Sequence, residues 1–163
     1  MRVTLRAVVA FGAIALLAAA CGSPSSSTSS SSSSGTSTSA KFLGCMVTDT
    51  GGIDDKSFNQ SSWEGMQAAA ATDPSKIQVT YLPSTTSADY ASNISTFIGK
   101  KCGIIVTVGF LMADATEAAA KANPHQKFAI VDCSYASDCL SGAKETNIDQ
   151  LVFNTVQDGF LGG

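Results

Sequence analysis

The sequence is poor in positive charge, with ten lysines and arginines against thirteen acids in 163 residues and a net charge of −3. No basic stripe is present to displace the counterions of a phosphate backbone, which excludes nucleic acid as a partner. Histidine occurs once, as His125 after Pro124, in a turn-like stretch that suits a solvated loop residue better than a general base. The chain lacks a Gly-x-Ser-x-Gly elbow, a Gly-Lys-Ser/Thr phosphate loop and a dinucleotide fingerprint. Asp49-Thr50-Gly51 reproduces the tripeptide of aspartic proteases, but no second such aspartate exists to share a proton and the setting is not all-β. These absences argue against an enzyme, and no cofactor or metal is expected. No apolar run reaches the roughly twenty residues that a membrane-spanning helix needs.

What the chain does have begins with an export leader. Arg2 and Arg6 precede an uncharged apolar stretch, Ala7 to Ala20, of about fourteen residues, which is signal-peptide length. Ala18-Ala19-Ala20-Cys21-Gly22 then resembles a bacterial lipobox, with Leu17 four residues before the cysteine where a bulky aliphatic usually stands three before. Residues 1–20 are expected to be a signal peptide, and Cys21 the residue that is acylated and holds the protein to the outer face of the cell membrane. The alternative is an ordinary cleaved signal with Cys21 as a free thiol. Residues 21–40, almost all serine and threonine after the cysteine, cannot bury enough apolar surface to offset the entropy of ordering and read as a disordered tether. A coil of about twenty residues reaches roughly 25 Å. A glycosylated stalk is the competing reading of the same composition.

Residues 41–163, roughly 120, suffice for one domain. With Cys21 assigned to lipid, Cys45, Cys102, Cys133 and Cys139 remain, an even number that suits two disulfides outside the cytoplasm. Three connectivities are open. The short spacing of Cys133 and Cys139 in a loop-like stretch favours that pair and leaves Cys45 with Cys102, while buried free thiols are the alternative.

Hydrophobic patterning gives strands alternating with helices. Phe42 to Val47 reads as a buried strand entering the Thr48-Asp49-Thr50-Gly51-Gly52 turn. A helix follows, with Ser57 and Gln60 spaced as a capping box and Phe58, Met66, Ala69 and Ala70 roughly on one face. Ile77 to Leu82 is a second strand closed by Pro83. Ser87 opens a helix carrying Tyr90, Ile94, Phe97 and Ile98 at helical spacing. Gly103 to Val108 is the third strand, Leu111 to Ala122 a helix stopped at Asn123-Pro124, Lys127 to Val131 the fourth strand, and Leu151 to Phe153 sits in a fifth. The alternation implies an α/β fold with a parallel sheet covered by helices on both faces.

Open sheets of this kind bind ligands beyond the carboxyl ends of their strands, where strand order reverses. The polar and glycine residues at those ends are Asp49, Gly109 beside Phe110, and Asp132. Two carboxylates at one edge accept hydrogen bonds from the hydroxyl or amine donors of a neutral ligand, each worth about 1.5–3 kcal/mol when charge-assisted. The competing role for each aspartate is helix capping or turn formation.

The run from Val47-Thr48-Asp49-Thr50-Gly51-Gly52 through Ser57-Phe58-Asn59 to Trp63-Glu64-Gly65 resembles the signature of the basic membrane protein family, the purine-nucleoside-binding lipoproteins of ABC importers. Ile104 to Phe110, Phe128 to Asp132 and Phe160-Leu161-Gly162-Gly163 continue the resemblance. It implies the first lobe of a type I periplasmic-binding-protein fold, delivering a nucleoside to a transporter permease. It also implies that Asp49 and Asp132 hydrogen-bond the ligand and that Phe58 stacks on the purine, with Asn59 and the Gly109 turn beside them. Phe58 as a core aromatic of the first helix is the alternative.

Family members are about twice this long and close the ligand between two lobes. The lobe expected here is incomplete, and weak binding is expected of it alone. Two other readings stay open. A sugar or other small ligand suits the same fold, and the acid pair Asp54-Asp55 resembles a receiver-type signalling domain. That last reading requires a cytoplasmic protein and a lysine after the fifth strand, against which the leader counts.

Overall fold

In the computed structural model, residues 40–136, 139 and 145–153 are described. The leader, Cys21, the tether up to residue 39 and the segment after Phe153 lie outside the described residues.

Five strands form one parallel sheet in the order β2-β1-β3-β4-β5. They are β1 (Phe42–Val47), β2 (Ile77–Leu82), β3 (Ile104–Val108), β4 (Phe128–Val131) and β5 (Ile148–Leu151). Helices α1 (Phe58–Thr72), α2 (Asp89–Gly99) and α3 (Ala113–Ala122) connect them, with one 3-10 turn over Phe110–Met112 ahead of α3. The strands are short apolar runs because a parallel sheet is covered on both faces. Cys45, Met46 and Val47 are each wholly buried, yet they serve two different cores.

Successive side chains of a strand point to opposite faces, and the cores follow that alternation. Cys45 and Val47 of β1, Ile105 of β3, and Phe128 and Ile130 of β4 pack with Tyr90, Ile94 and Phe97 of α2 and Met112 ahead of α3. Full burial of side chains such as Ile94 and Phe97 contributes about 1.5–3 kcal/mol apiece. Met46, Val108 and Val131 form the second core, against which Phe58, Trp63 and Met66 of α1 are packed. Helix α2 thus buries the stripe its periodicity predicts.

Thr107, Thr116 and Asn147 are polar side chains of this interior that are paired. Thr107 and Thr116 share a hydroxyl contact of 2.8 Å, and Thr116 also donates to the Met112 carbonyl. The buried Asn147 side-chain amide is shared among the carbonyls of Ala120, Asn123 and Gln126, tying the end of α3 to the start of β5. Cys45 is bonded to Cys102 and Cys133 to Cys139.

Three local expectations are corrected. Ser57 is the residue before α1 but makes no capping hydrogen bond; the Asp55 carboxylate takes the amides of Ser57, Asn59 and Gln60 instead. Helix α2 starts at Asp89, whose own carboxylate accepts from the Thr85 and Thr86 amides. The fifth strand is Ile148–Leu151, so Val152 and Phe153 have left the ladder and are exposed. Pairing with β4 selects Asp149 and Gln150 as strand residues, opposite Ala129 and Ile130, although neither is apolar.

Candidate ligand-binding site

Strand β1 lies between β2 and β3, so connections leave it in opposite directions and open a crevice beyond the ends of β1 and β3. Val47 of β1 is level with Thr107 of β3, and Val108 is level with Val131 of β4. Continuing that register brings Asp49, Gly109 and Asp132 to one sheet edge, with the aspartates about 10 Å apart across two strand spacings.

Asp49 is fixed by its neighbours. Its Oδ1 accepts from the Gly51 amide at 3.0 Å and from Asn59 Nδ2 at 2.7 Å. The first bond folds the chain into the tight turn that a short acidic side chain favours; the second anchors the turn to the first turn of α1. Among the described residues no hydrogen bond reaches Oδ2, which faces Gly109. A Cβ at Gly109 would stand 2.8 Å from that oxygen, and the glycine has φ of +98°, a conformation L side chains rarely adopt. Both the backbone and the space therefore require glycine.

Asn59 is only 2 % exposed, and among the described residues its buried Oδ1 has no partner. The edge thus combines a free carboxylate oxygen with a neighbouring unpaired carbonyl. Asp132, partly buried, has φ of +61°, and its amide donates to the Leu151 carbonyl.

Phe58 is half-buried. Its ring centre lies 5.5 Å from that of Phe153 at an interplanar angle of 34°. The two rings border an apolar groove of about 430 Å³ between α1 and the sheet, with Met66, Val106, Val131 and Leu151. Phe58 is thus partly buried against the smaller core. A separate cavity of about 450 Å³, lined by Lys101, Asn123, His125 and Gln126, lies beside the turns that precede β3 and β4, away from the Asp49 edge. Among the described residues no group of three or more His, Cys, Asp or Glu could hold a metal ion.

The α1 end also carries a shifted acid. Burial works to raise the Asp55 pKa, but the amides of Gln60, Ser57 and Asn59 outweigh it and hold the carboxyl below its ordinary value. Sequence reading assigned this cap to Ser57; the acid two residues earlier was the available signal, since Asp and Ser are both favoured there. It also missed a buried network behind Asp49. Thr48 Oγ1 donates to the Asp49 carbonyl and accepts from the Ser84 amide, and the Asn93 side-chain amide of α2 donates to Ser84 Oγ.

Residues 42–163 match the family described as ABC transporter substrate-binding protein PnrA-like. The chain belongs to this family. Its members are substrate-binding proteins and not enzymes. This PnrA-like chain is 45 % identical over 116 residues to a CD4+ T-cell-stimulating antigen of Listeria monocytogenes, covering 69 % of this chain and 32 % of the relative. It is 35 % identical over 120 residues to the ABC transporter nucleoside-binding protein BmpA of Lactococcus lactis, covering 72 % and 32 %. The chain therefore spans about a third of the length of these relatives. A fragment structure of a putative lipoprotein from Peptoclostridium difficile superposes with a TM-score of 0.60 at 24 % identity, covering 76 % of this chain and 94 % of that one. A solute-binding protein of an Aeropyrum pernix ABC transporter system superposes with a TM-score of 0.58 at 25 % identity, covering 69 % and 28 %. The first-lobe fold expected from the sequence is the fold observed.

Proposed function

We propose that the chain forms the nucleoside-binding first lobe of an extracytoplasmic substrate-binding protein, which is lipid-anchored through Cys21 and passes its ligand to an ABC permease. The observation that carries this reading is the free Asp49 Oδ2 facing Gly109 at the strand-order reversal. A carboxylate held by two donors on one oxygen presents the other to a ligand hydroxyl or ring N–H. Asp132, two strands away, supplies a second acidic position at the same edge. The name of the Lactococcus relative, a nucleoside-binding protein, supports the ligand class.

The proposed domain plan is a signal peptide over 1–20, a tether over 21–40 and the α/β lobe over 41–163. Among the described residues no helix is long and apolar enough to cross a membrane. Cys21 is then the attachment point, through two or more acyl chains, since one gives only marginal binding. Mass spectrometry of the N-terminal peptide should find cleavage before Cys21 and an acylated cysteine. An unmodified Cys21 refutes the anchor.

The binding test is calorimetric titration of the purified full chain with adenosine, guanosine, inosine and free ribose. One lobe leaves much of the ligand in water, whereas closed pockets bury about 70–90 % of it, so dissociation constants in the millimolar range are expected. Asp49→Asn should weaken binding further. A sugar ligand is the second reading, favoured by the Phe58 contact with Phe153, which occupies part of the ring a flat base would use. Ribose binding as well as the nucleosides would select it.

A further inference from the structure

The sequence carries no basic stripe, yet the fold gathers its lysines at one end of the lobe. Parallel strands all start at the same edge, and six of the seven lysines between residues 41 and 136 lie there. Lys41, Lys76 and Lys127 each stand immediately before a strand, and the Lys100-Lys101 pair follows α2 just ahead of β3. The strand ladder carries them side by side: the Phe42 amide donates to the Lys76 carbonyl, and the Ile105 amide to the Lys127 carbonyl. Lys121 stands in the last turn of α3, which runs back to the same edge. All six are exposed. Lys76 pairs with Asp73 at 2.8 Å, and among the described residues no acid pairs with the other five. Besides Asp73, Glu145 ahead of β5 is the acid that the chain order places toward this end. The opposite edge is acidic: Asp49, Asp54, Asp55, Asp89, Asp114 and Asp132 follow strands or open helices there, beside the single lysine Lys56. Two further features belong to the basic end. Phe42, next to Lys41, is 50 % exposed, and Lys101 and His125 wall the cleft of about 450 Å³. The chain also enters the lobe here, at residues 40 and 41.

We propose that this end of the lobe is a docking surface for a bilayer of anionic phospholipids. The lysines lie on the headgroup phosphates, the cleft receives one headgroup, and Phe42 enters the interface as an apolar anchor. The inference rests on the reading of Cys21 as the lipid anchor, which keeps the lobe within the tether's reach of roughly 25 Å. Inside the screening length, about 8 Å at physiological salt, each lysine near an anionic surface strengthens association about fivefold. The Asp49 edge, roughly 20 Å away at the far end of the six-residue strand β1, then points away from the lipid. Like-charge repulsion of its acids by the same surface favours that orientation over the reverse one.

Amine-reactive labelling read by mass spectrometry tests it, with Lys56 as the internal control. The full chain is produced in a bacterial host, extracted from its membranes, and reconstituted on vesicles of phosphatidylcholine alone or of equal parts phosphatidylcholine and phosphatidylglycerol. Lys41, Lys100, Lys101, Lys121 and Lys127 should label several-fold more slowly on the anionic vesicles, whereas Lys56 should label equally on both. Raising the salt to about 1 M, where the screening length falls to about 3 Å, should remove the difference. Equal labelling of the five lysines on the two vesicles, or slowing of Lys56 to the same degree, overturns the proposal. Lys100→Gln/Lys101→Gln/Lys127→Gln changes only exposed side chains; it should melt as the parent and lose the contrast at Lys41 and Lys121. An undiminished contrast at both also overturns it. Labelling that is equal on the two vesicles but slowed in native membranes assigns the face to a membrane protein in place of lipid. If the chain carries no acyl group, the anchor reading fails, and its sedimentation with anionic but not neutral vesicles decides the docking surface by itself.

Discussion

Gly109→Ala is expected to be far more damaging than its single added methyl group suggests. Two costs fall at one position. The backbone sits at φ +98° and ψ 144°, a region held almost only by glycine, and forcing another residue there costs about 1–3 kcal/mol. The new Cβ would stand 2.8 Å from Asp49 Oδ2 and 3.3 Å from its carboxyl carbon. Asp49 must rotate away, which breaks at least one of its bonds to Asn59 and Gly51. A hydrogen bond to a charged group is worth about 1.5–3 kcal/mol, so the sum is about 2.5–6 kcal/mol. Gly52 is the internal control, because it has φ of +67° with nothing within 4 Å of its would-be Cβ. Gly52→Ala therefore carries the backbone cost alone, about 1–2 kcal/mol. Urea denaturation of both variants at neutral pH measures the difference. The double variant Asp49→Ala/Gly109→Ala isolates the steric part: with the carboxylate gone the two substitutions should be less than additive by about 1–3 kcal/mol. Equal losses for the two glycines, or strict additivity in the double variant, would refute the close approach of Asp49 to the β3 turn.

Asp55→Ala removes the acceptor of three amides at the start of α1 and should cost about 1–2 kcal/mol at pH 7. The folded-state pKa of Asp55 lies below its ordinary 3.8, so its contribution is present above that value and fades as pH falls through the lower folded-state one. Denaturation curves of parent and variant should accordingly converge as the pH falls below the ordinary carboxylate range. Asn59→Asp keeps the shape of the side chain but sets a second carboxylate where Nδ2 now lies 2.7 Å from Asp49. A loss of about 3 kcal/mol is expected at neutral pH, partly recovered on mild acidification as the pair takes up a proton; a pH-independent loss would argue against the contact. Converting Cys45 and Cys102 to serine opens a link of sequence separation 57 and should cost about 4 kcal/mol, whereas the Cys133–Cys139 link, of separation 6, is worth about 2 kcal/mol. Peptide mapping without reductant checks the pairing, and melting of the two double variants checks the order.

Sequence alone was enough for the elements whose pattern is also their environment. The stripe Tyr90, Ile94, Phe97 has only one buried face to occupy, and the apolar runs of β1, β3 and β4 suit a sheet covered on both sides. The positions of Asp49, Gly109 and Asp132 at the strand ends were also legible, because they follow directly on the apolar runs of β1, β3 and β4. What sequence did not decide were choices between chemically similar neighbours. Asp55 and Ser57 both suit a helix start, and turn geometry gave the amides to Asp55. Leu151-Val152-Phe153 is the more apolar stretch, yet strand pairing selected Ile148–Leu151. The orientation of Phe58, the burial of Asn59 and the sealed hydroxyl of Tyr90 depend on elements far apart in sequence meeting at one edge. Local pattern records which residues prefer to leave water, but it contains no information about which polar atoms will face one another once they have done so. Those pairings, and the two buried polar atoms left without one among the described residues, were settled only when α1 and α2 closed on opposite faces of the sheet.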